Sequence, residues 1–167
     1  MTELGATACT SCPKANAIGS VGIPLVANTI KIMDKDSMQE LPYNQTGEIW
    51  ISGPSIMLGY YNKSKETDDI IVTDENGVRW IRTGDLGHIT EDGLLFHEGR
   101  ISRIYLTSHK GQPAKIFPML VEEKIKQCES IFDCVVARLR NNSVNYEAIA
   151  FVILKKGKFF PIKSNTS

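Results

Sequence analysis

Apolar positions in this chain come in short bursts separated by polar, glycine-bearing turns, and one stretch carries helical spacing. Residues 1 to about 20 are polar and dotted with glycine. Val21–Val26 and Thr29–Met33 then read as short strands, and Glu48–Ile–Trp–Ile–Ser52 alternates as a half-buried strand should. Asp34–Ser37 and Pro42–Gly47 are turns by composition. Asp74–Glu–Asn–Gly77 and Glu91–Asp–Gly93 read as hairpin turns bracketing strands at Val78–Ile81 and Leu94–Phe96. Many short strands at close intervals predict a β-rich, barrel-like subdomain over residues 1–98.

The pattern changes after Gly99–Arg100. Ile101–Thr107 reads as a strand and Lys110–Gly–Gln–Pro113 as a loop. Pro118–Cys128 has the spacing of an amphipathic helix, with Leu120, Val121, Ile125 and Cys128 on one face and proline in its first turn. Ile131–Leu139 and Glu147–Leu154 are strand candidates joined by a turn at Asn141–Asn–Ser143. The expectation is an α+β protein: residues 1–98 as the end of a larger N-terminal domain, 99–103 as a hinge, and 104–167 as a small α+β domain whose final elements look cut off.

Composition narrows the class. Hydrophobic residues make up 42% and charged residues 23% of 167, ordinary globular usage. Nineteen basic residues balance nineteen acidic ones, so no bulk field steers the chain to nucleic acid or an anionic membrane. The lysines at 155, 156, 158 and 163 read as a solvated, frayed end. No stretch is apolar enough to cross a bilayer, and the N-terminus is not a signal peptide. Four cysteines, at 9, 12, 128 and 134, include a Cys-x-x-Cys spacing with no second pair to complete a zinc site, and the three histidines are scattered. Free thiols and a cytoplasmic location are the expectation.

The chemistry concentrates in Trp80–Ile–Arg–Thr–Gly–Asp–Leu86 and Gly99–Arg100. A carboxylate with two acceptor oxygens suits neighbouring hydroxyls such as a ribose diol. Arginine is a permanently charged fork of donors suited to ribose oxygens or a phosphate. Asp85 and Arg100 are therefore candidates to hold opposite sides of one nucleotide. Gly-Asp is also ordinary turn chemistry, so this block alone is weak.

Context strengthens it. Upstream run Gly47–Glu–Ile–Trp–Ile–Ser–Gly–Pro54, Gly59–Tyr–Tyr61 and Lys65–Glu–Thr67, and the chain opens Met1–Thr–Glu–Leu–Gly5. In this order the blocks resemble the adenylate-forming ligases: acyl-CoA synthetases, luciferases and peptide-synthetase adenylation domains. Thr2–Glu3 is similar to the family's Tyr-Gly-x-Thr-Glu segment without its first two residues. The resemblance implies ATP or AMP and Mg²⁺ as cofactors, CoA as a possible acceptor, and a carboxylic acid as substrate. It implies Thr2 near the nucleotide phosphate, Glu3 on the metal, Asp85 on the ribose hydroxyls, Arg100 on the ribose or phosphate side, and His97 against the base. Ser102 stands where the family hinges, usually on Asp or Lys.

The resemblance also marks departures. The Ser/Thr/Gly-rich phosphate loop and the Pro-x-Thr-x-x-Gly-Lys segment carrying the catalytic lysine are not among these residues. No catalytic residue is therefore assigned. The chain reads as a later-half fragment, inactive alone, with the missing N-terminal part as a partner. The family's glycine loop becomes Thr107–Pro113, lengthened before Ile116–Phe–Pro118, which puts thioester formation on CoA in doubt. Long-chain acyl-CoA synthetases, with a place in fatty acid metabolism, and peptide-synthetase adenylation domains are both open, and Glu48–Pro54 leans toward an acyl ligase or a stand-alone relative. Thr2 also reads as a helix N-cap with Glu3 in the first turn. Trp50 and Trp80 read as core, and Tyr60 and Tyr61 more readily as core than as stacking residues. A non-catalytic nucleotide- or partner-binding module, and a structural protein whose glycines only build turns, stand as alternatives.

Overall fold

The computed structural model describes residues 1–5, 7–109, 112–140 and 146–158. The chain is α+β and divides into two compact units, Met1–Ile101 and Ser102–Ser167. Among the described residues no helix is long and apolar enough to cross a membrane.

The first unit is a curled, seven-stranded antiparallel sheet. Its strands are β1 (Cys9–Thr10), β2 (Ser20–Pro24), β3 (Thr29–Met33), β4 (Gly47–Ser52), β5 (Ile71–Thr73), β6 (Arg79–Ile89) and β7 (Leu95–Arg100). The order across the sheet is β1-β2-β7-β6-β4-β3, with β5 paired to β6. Both predicted hairpin turns form: Asp74 N–H donates to the Val78 carbonyl at 2.9 Å, and Thr90 N–H to the Leu94 carbonyl at 3.0 Å. A 3-10 turn, Thr2–Leu4, opens the unit, and helix α1 (Ser64–Ile70) precedes β5.

β4 departs from its predicted half-buried alternation, because both of its faces are covered. Ile49 and Ile51 join Leu4, Ile32, Ile56, Ile81 and Leu95 on one side. Trp50 packs with Met33 and Trp80 on the other, so the tryptophans are core as expected. Lys31 closes that second cluster, its ammonium 3.9 Å from the Trp80 ring centroid and 5.2 Å from that of Trp50. The tyrosines depart from the core reading: Tyr60 is 39% and Tyr61 91% exposed, in a turn before α1.

In the second unit Ile101–Arg103 is a 3-10 turn, so the strand read from Ile101 begins only at Tyr105. β8 (Tyr105–His109) and β9 (Gln112–Ile116) form a hairpin paired from Tyr105↔Ile116 to His109↔Gln112. The segment read as a lengthened loop is thus mostly strand: Gln112 and Pro113 belong to β9, while Lys110 and Gly111 lie outside the described residues. Helix α2 (Pro118–Lys126) starts with proline at its first turn and packs on β10 (Ile131–Arg140), which pairs with β11 (Tyr146–Leu154). The predicted helix face is corrected in part. Val121 and Ile125 are partly covered, but Leu120 and Cys128 are exposed. The predicted turn at 141–143 and Lys163 lie outside the described residues.

Glu122 ties this unit together. Arg103 Nη2 lies 2.5 Å from its Oε1, which also accepts from Val136 N–H at 2.8 Å. Burial by itself raises the Glu122 carboxyl, and the Arg103 hydrogen bond, the Val136 N–H and nearby cations outweigh it, so the group sits below its usual range.

Candidate functional site

Thr83–Gly84–Asp85 is a bulge inside the eleven-residue strand β6, not a turn. Glu48↔Leu86 and Trp50↔Arg82 remain paired on either side, so Ile49 alone faces Thr83, Gly84 and Asp85. Gly84 takes φ +69°, a left-handed conformation that glycine adopts without strain. The ladder bonds lost at the bulge are replaced by side chains. Gly84 N–H donates to Glu48 Oε1 at 3.2 Å, and Asp85 N–H to Thr83 Oγ1 at 3.0 Å. The Thr83 hydroxyl in turn donates to the Ile49 carbonyl at 2.8 Å.

Glu48 anchors this arrangement from beneath. It is 4% exposed, and its Oε2 accepts from Trp50 Nε1 at 3.1 Å and from Arg82 Nη2 at 3.3 Å. A carboxylate this buried needs such partners, and here they come from its own strand and its neighbour. In the sequence Glu48 reads only as part of a strand and of a family block. The signal that could have found it is a charged residue two positions before a tryptophan in an otherwise apolar strand.

The bulge turns the Asp85 side chain toward β7. Asp85 and Arg100 are register partners across β6 and β7. Arg100 Nη1 donates to Asp85 Oδ1 at 3.1 Å and to the Thr83 carbonyl at 2.8 Å, and His97 Nε2 lies 3.4 Å from the same Oδ1. Burial by itself raises the Asp85 carboxyl. The His97 hydrogen bond and the charges of Arg100 and His97 outweigh it, so the group sits below the usual carboxylate range. Carboxylate and guanidinium are thus in direct contact, side by side on neighbouring strands, where the sequence reading expects them on opposite sides of one nucleotide. Arg100 and His97 both converge on Oδ1, and among the described residues Oδ2 takes no hydrogen bond. Its lone pairs remain for a pair of hydroxyls.

A cavity of about 250 Å³ opens beside Asp85. Ala8, Cys9, Val21, Ile49, Ile51 and Leu95 give it apolar walls, and Met1, Thr83, Asp85 and His97 complete it. The structure thus gathers Met1, Asp85, His97 and Arg100 into one neighbourhood, with Thr2 and Glu3 directly following Met1. Thr2 is exposed within the 3-10 turn, and its carbonyl accepts from Gly5 N–H at 2.9 Å. The N-cap reading of Thr2 fails: Met1 holds the cap position and makes no side-chain capping bond. Glu3 Oε1 accepts from the Tyr60 hydroxyl at 2.9 Å. Ser102 is exposed and is the first residue of the second unit.

Other candidates serve the framework. His88 Nδ1 lies 2.5 Å from Glu98 Oε1 and its ring stacks on Phe96, while Thr46 Oγ1 donates to both Glu98 oxygens at 3.1 Å. The four cysteines are free thiols, and burial pushes that of Cys9 up. Among the described residues no three His, Cys, Asp or Glu side chains cluster as a metal cage. A cation here would be held by one carboxylate, a phosphate and water. That donor set of hard oxygens fits Mg²⁺, and Glu3 can provide the carboxylate.

Comparison with known proteins agrees with these features. The family of AMP-binding enzymes matches residues 1–61. A 4-coumarate–CoA ligase-like protein of Oryza sativa subsp. japonica is 32% identical over 156 residues, covering 93% of this chain and 27% of the relative. A luciferin 4-monooxygenase of Luciola mingrelica is 36% identical over 145 residues, covering 87% of this chain and 24% of the relative. Among solved structures, O-succinylbenzoate coenzyme A synthetase from Bacillus subtilis in complex with AMP superposes with a TM-score of 0.76 at 26% identity, covering 98% of this chain and 31% of the other. The chain therefore spans about a quarter of the length of the curated relatives it matches. The sheet with its bulged Thr-Gly-Asp strand, the paired Asp85 and Arg100, and these matches make the chain a member of the adenylate-forming ligase superfamily.

Proposed function

We propose that this chain supplies the ribose-binding part of the nucleotide site of an ATP-dependent ligase that activates a carboxylic acid as its acyl-adenylate. The observation carrying this reading is the Asp85 carboxylate favoured in its ionised form by Arg100 and His97 on one oxygen, while the other takes no hydrogen bond among the described residues. Asp85 Oδ2 receives the two ribose hydroxyls. Arg100 fixes the carboxylate and presents the rest of its donor fork to the ribose or phosphate edge. His97 and the adjoining apolar cavity border the base, and Thr2 lies toward the phosphate. Glu3 holds Mg²⁺, which when bound supplies charge neutralisation at phosphate oxygens. Ser102 serves as the swivel between the two units, since a small side chain tolerates large dihedral change. In the complete reaction the acid's carboxylate oxygen attacks the α-phosphorus, pyrophosphate leaves, and a thiol of CoA or a carrier displaces AMP from the acyl group.

No phosphate loop and no catalytic-lysine segment lie within these residues. The 167-residue chain by itself is accordingly expected to bind AMP and to catalyse no ATP–pyrophosphate exchange. Calorimetric titration with AMP tests the first point. Asp85→Ala should weaken binding about tenfold or more, because it removes a charged acceptor of two hydrogen bonds. Equal affinity for wild type and variant would remove the ribose clamp, and measurable exchange with any acid would refute the expected inactivity.

A further inference from the structure

The block Gly59–Tyr–Tyr61 with Thr67 is used neither by the ribose clamp nor by the core, yet its geometry is tightly specified. Gly59 lies against Thr67 so closely that a Cβ on it would come 2.8 Å from Thr67 Cγ2. That approach lets Tyr60 N–H donate to Thr67 Oγ1 at 2.9 Å, while the same hydroxyl donates to the Lys63 carbonyl at 2.8 Å. One turn earlier in the chain, Arg79 Nη2 donates to the carbonyls of Met57 and Leu58 at 3.0 and 3.3 Å. Met57 N–H then donates to the Glu3 carbonyl at 2.9 Å. The backbone on both sides of Tyr60 is thereby locked, and the backbone of Glu3 is locked to it. The Tyr60 hydroxyl completes the link by donating to Glu3 Oε1 at 2.9 Å.

We infer that Tyr60 is a positioning residue for the Glu3 carboxylate, holding Oε1 through its phenol so that Oε2 faces a divalent cation carried by a nucleotide's phosphates. This rests on the reading of Glu3 given above. A glutamate side chain at the edge of a short, partly exposed turn samples several rotamers, and ordering it at the moment of binding costs affinity. A hydroxyl donor removes that cost without adding positive charge. Lysine or arginine in its place would orient the carboxylate equally well and neutralise the charge that a cation needs. The exposed Tyr61 next to it makes no such contact among the described residues, so the role belongs to one tyrosine of the pair.

The test is calorimetric titration of the 167-residue chain with ATP, with and without Mg²⁺, and with AMP in the absence of metal. It compares wild type, Tyr60→Phe, Glu3→Gln and the double variant, with a thermal melt of each. Tyr60→Phe keeps the ring and should reduce the Mg²⁺-dependent gain in ATP affinity about fivefold, the equivalent of one hydrogen bond. Metal-free AMP affinity and melting temperature should not move, and the loss should vanish in the Glu3→Gln background. An unchanged Mg²⁺ gain in Tyr60→Phe overturns the inference and leaves the ribose clamp standing. Parallel losses of AMP affinity and melting temperature overturn it too, in favour of a purely structural tyrosine. If wild type binds AMP but gains nothing from Mg²⁺, the Glu3 assignment and this inference fail together. If AMP does not bind, the proposed nucleotide site fails with them.

Discussion

At the scale of single residues, the site depends on one glycine conformation and one carboxylate. A Cβ on Gly84 would meet nothing nearer than Arg100 Nη1 at 3.9 Å, so space does not require glycine there. The φ of +69° does. Gly84→Ala should cost about 1–2 kcal/mol in urea denaturation, the penalty of a left-handed L-residue, and Gly84→Asn should cost less. Equal stability of wild type and Gly84→Ala would mean that the bulge relaxes without loss. Asp85, His97 and Arg100 stood out in the sequence because motif order singles them out. Their mutual arrangement did not, because which oxygen of Asp85 is approached by Arg100 and His97 depends on the pairing of β6 with β7. Thr83 and Glu48 carry no such mark in the sequence for the same reason: each acts on a backbone group of another residue that only strand register brings near.

At the scale of elements, β4 and β6 act as one unit around the buried Glu48. Removing one partner of a buried ion pair leaves the other uncompensated, and Arg82 here keeps some contact with solvent. Glu48→Ala should therefore lower stability by about 2–3 kcal/mol in chemical denaturation, and weaken AMP binding as well, since Gly84 N–H loses its acceptor. A stability loss with unchanged AMP affinity would separate the bulge from the site. Strands with clear apolar runs and both glycine-bearing hairpin turns were readable, because local pattern and turn chemistry specify them. Helix α1 was not: Ser64–Ile70 is short, mostly polar and contributes no buried side chain, so no amphipathic stripe marks it. β5 is three residues long and exists through its pairing with β6. β6 ran longer than its apolar core suggested, because the bulge carries the strand through Thr-Gly-Asp. The β8–β9 segment reads locally as strand then loop, because the polar run from Ser108 to Gln112 carries no apolar alternation to mark the ten residues paired in register.

At the scale of the whole molecule, carboxylates in both units share one pH signature. Asp85 in the first unit and Glu122 in the second are each held below their ordinary values, by neighbours that outweigh the opposing effect of burial. A carboxyl depressed in the folded state binds its proton later than the same group in the unfolded chain. Its stabilisation is complete above the unfolded value, about 4, and is lost as pH falls through the lower folded value. The urea midpoint should accordingly be flat from neutral pH to about 5 and decline below about 4. Asp85→Asn should make the decline in the first unit shallower, and a midpoint that rises on acidification would contradict the assignment. At this scale the α+β class was legible from strand-rich and helical stretches alone, while the coverage of both faces of β4 was not.

What the sequence determined by itself was local and compositional: where apolar runs lie, where glycines and Asx residues turn the chain, and which ordered blocks mark an adenylate-forming ligase. Those properties depend on neighbours a few positions away and are written directly in residue order. The tertiary structure alone decided that Thr-Gly-Asp is a bulge, that Arg100 and His97 share one oxygen of Asp85, that Glu48 lies beneath them, and that Tyr60 reaches Glu3. Each of these joins residues from different strands or loops. A shift of one position in strand register would point the side chains to the other face, and no local pattern encodes which alignment the curled sheet selects.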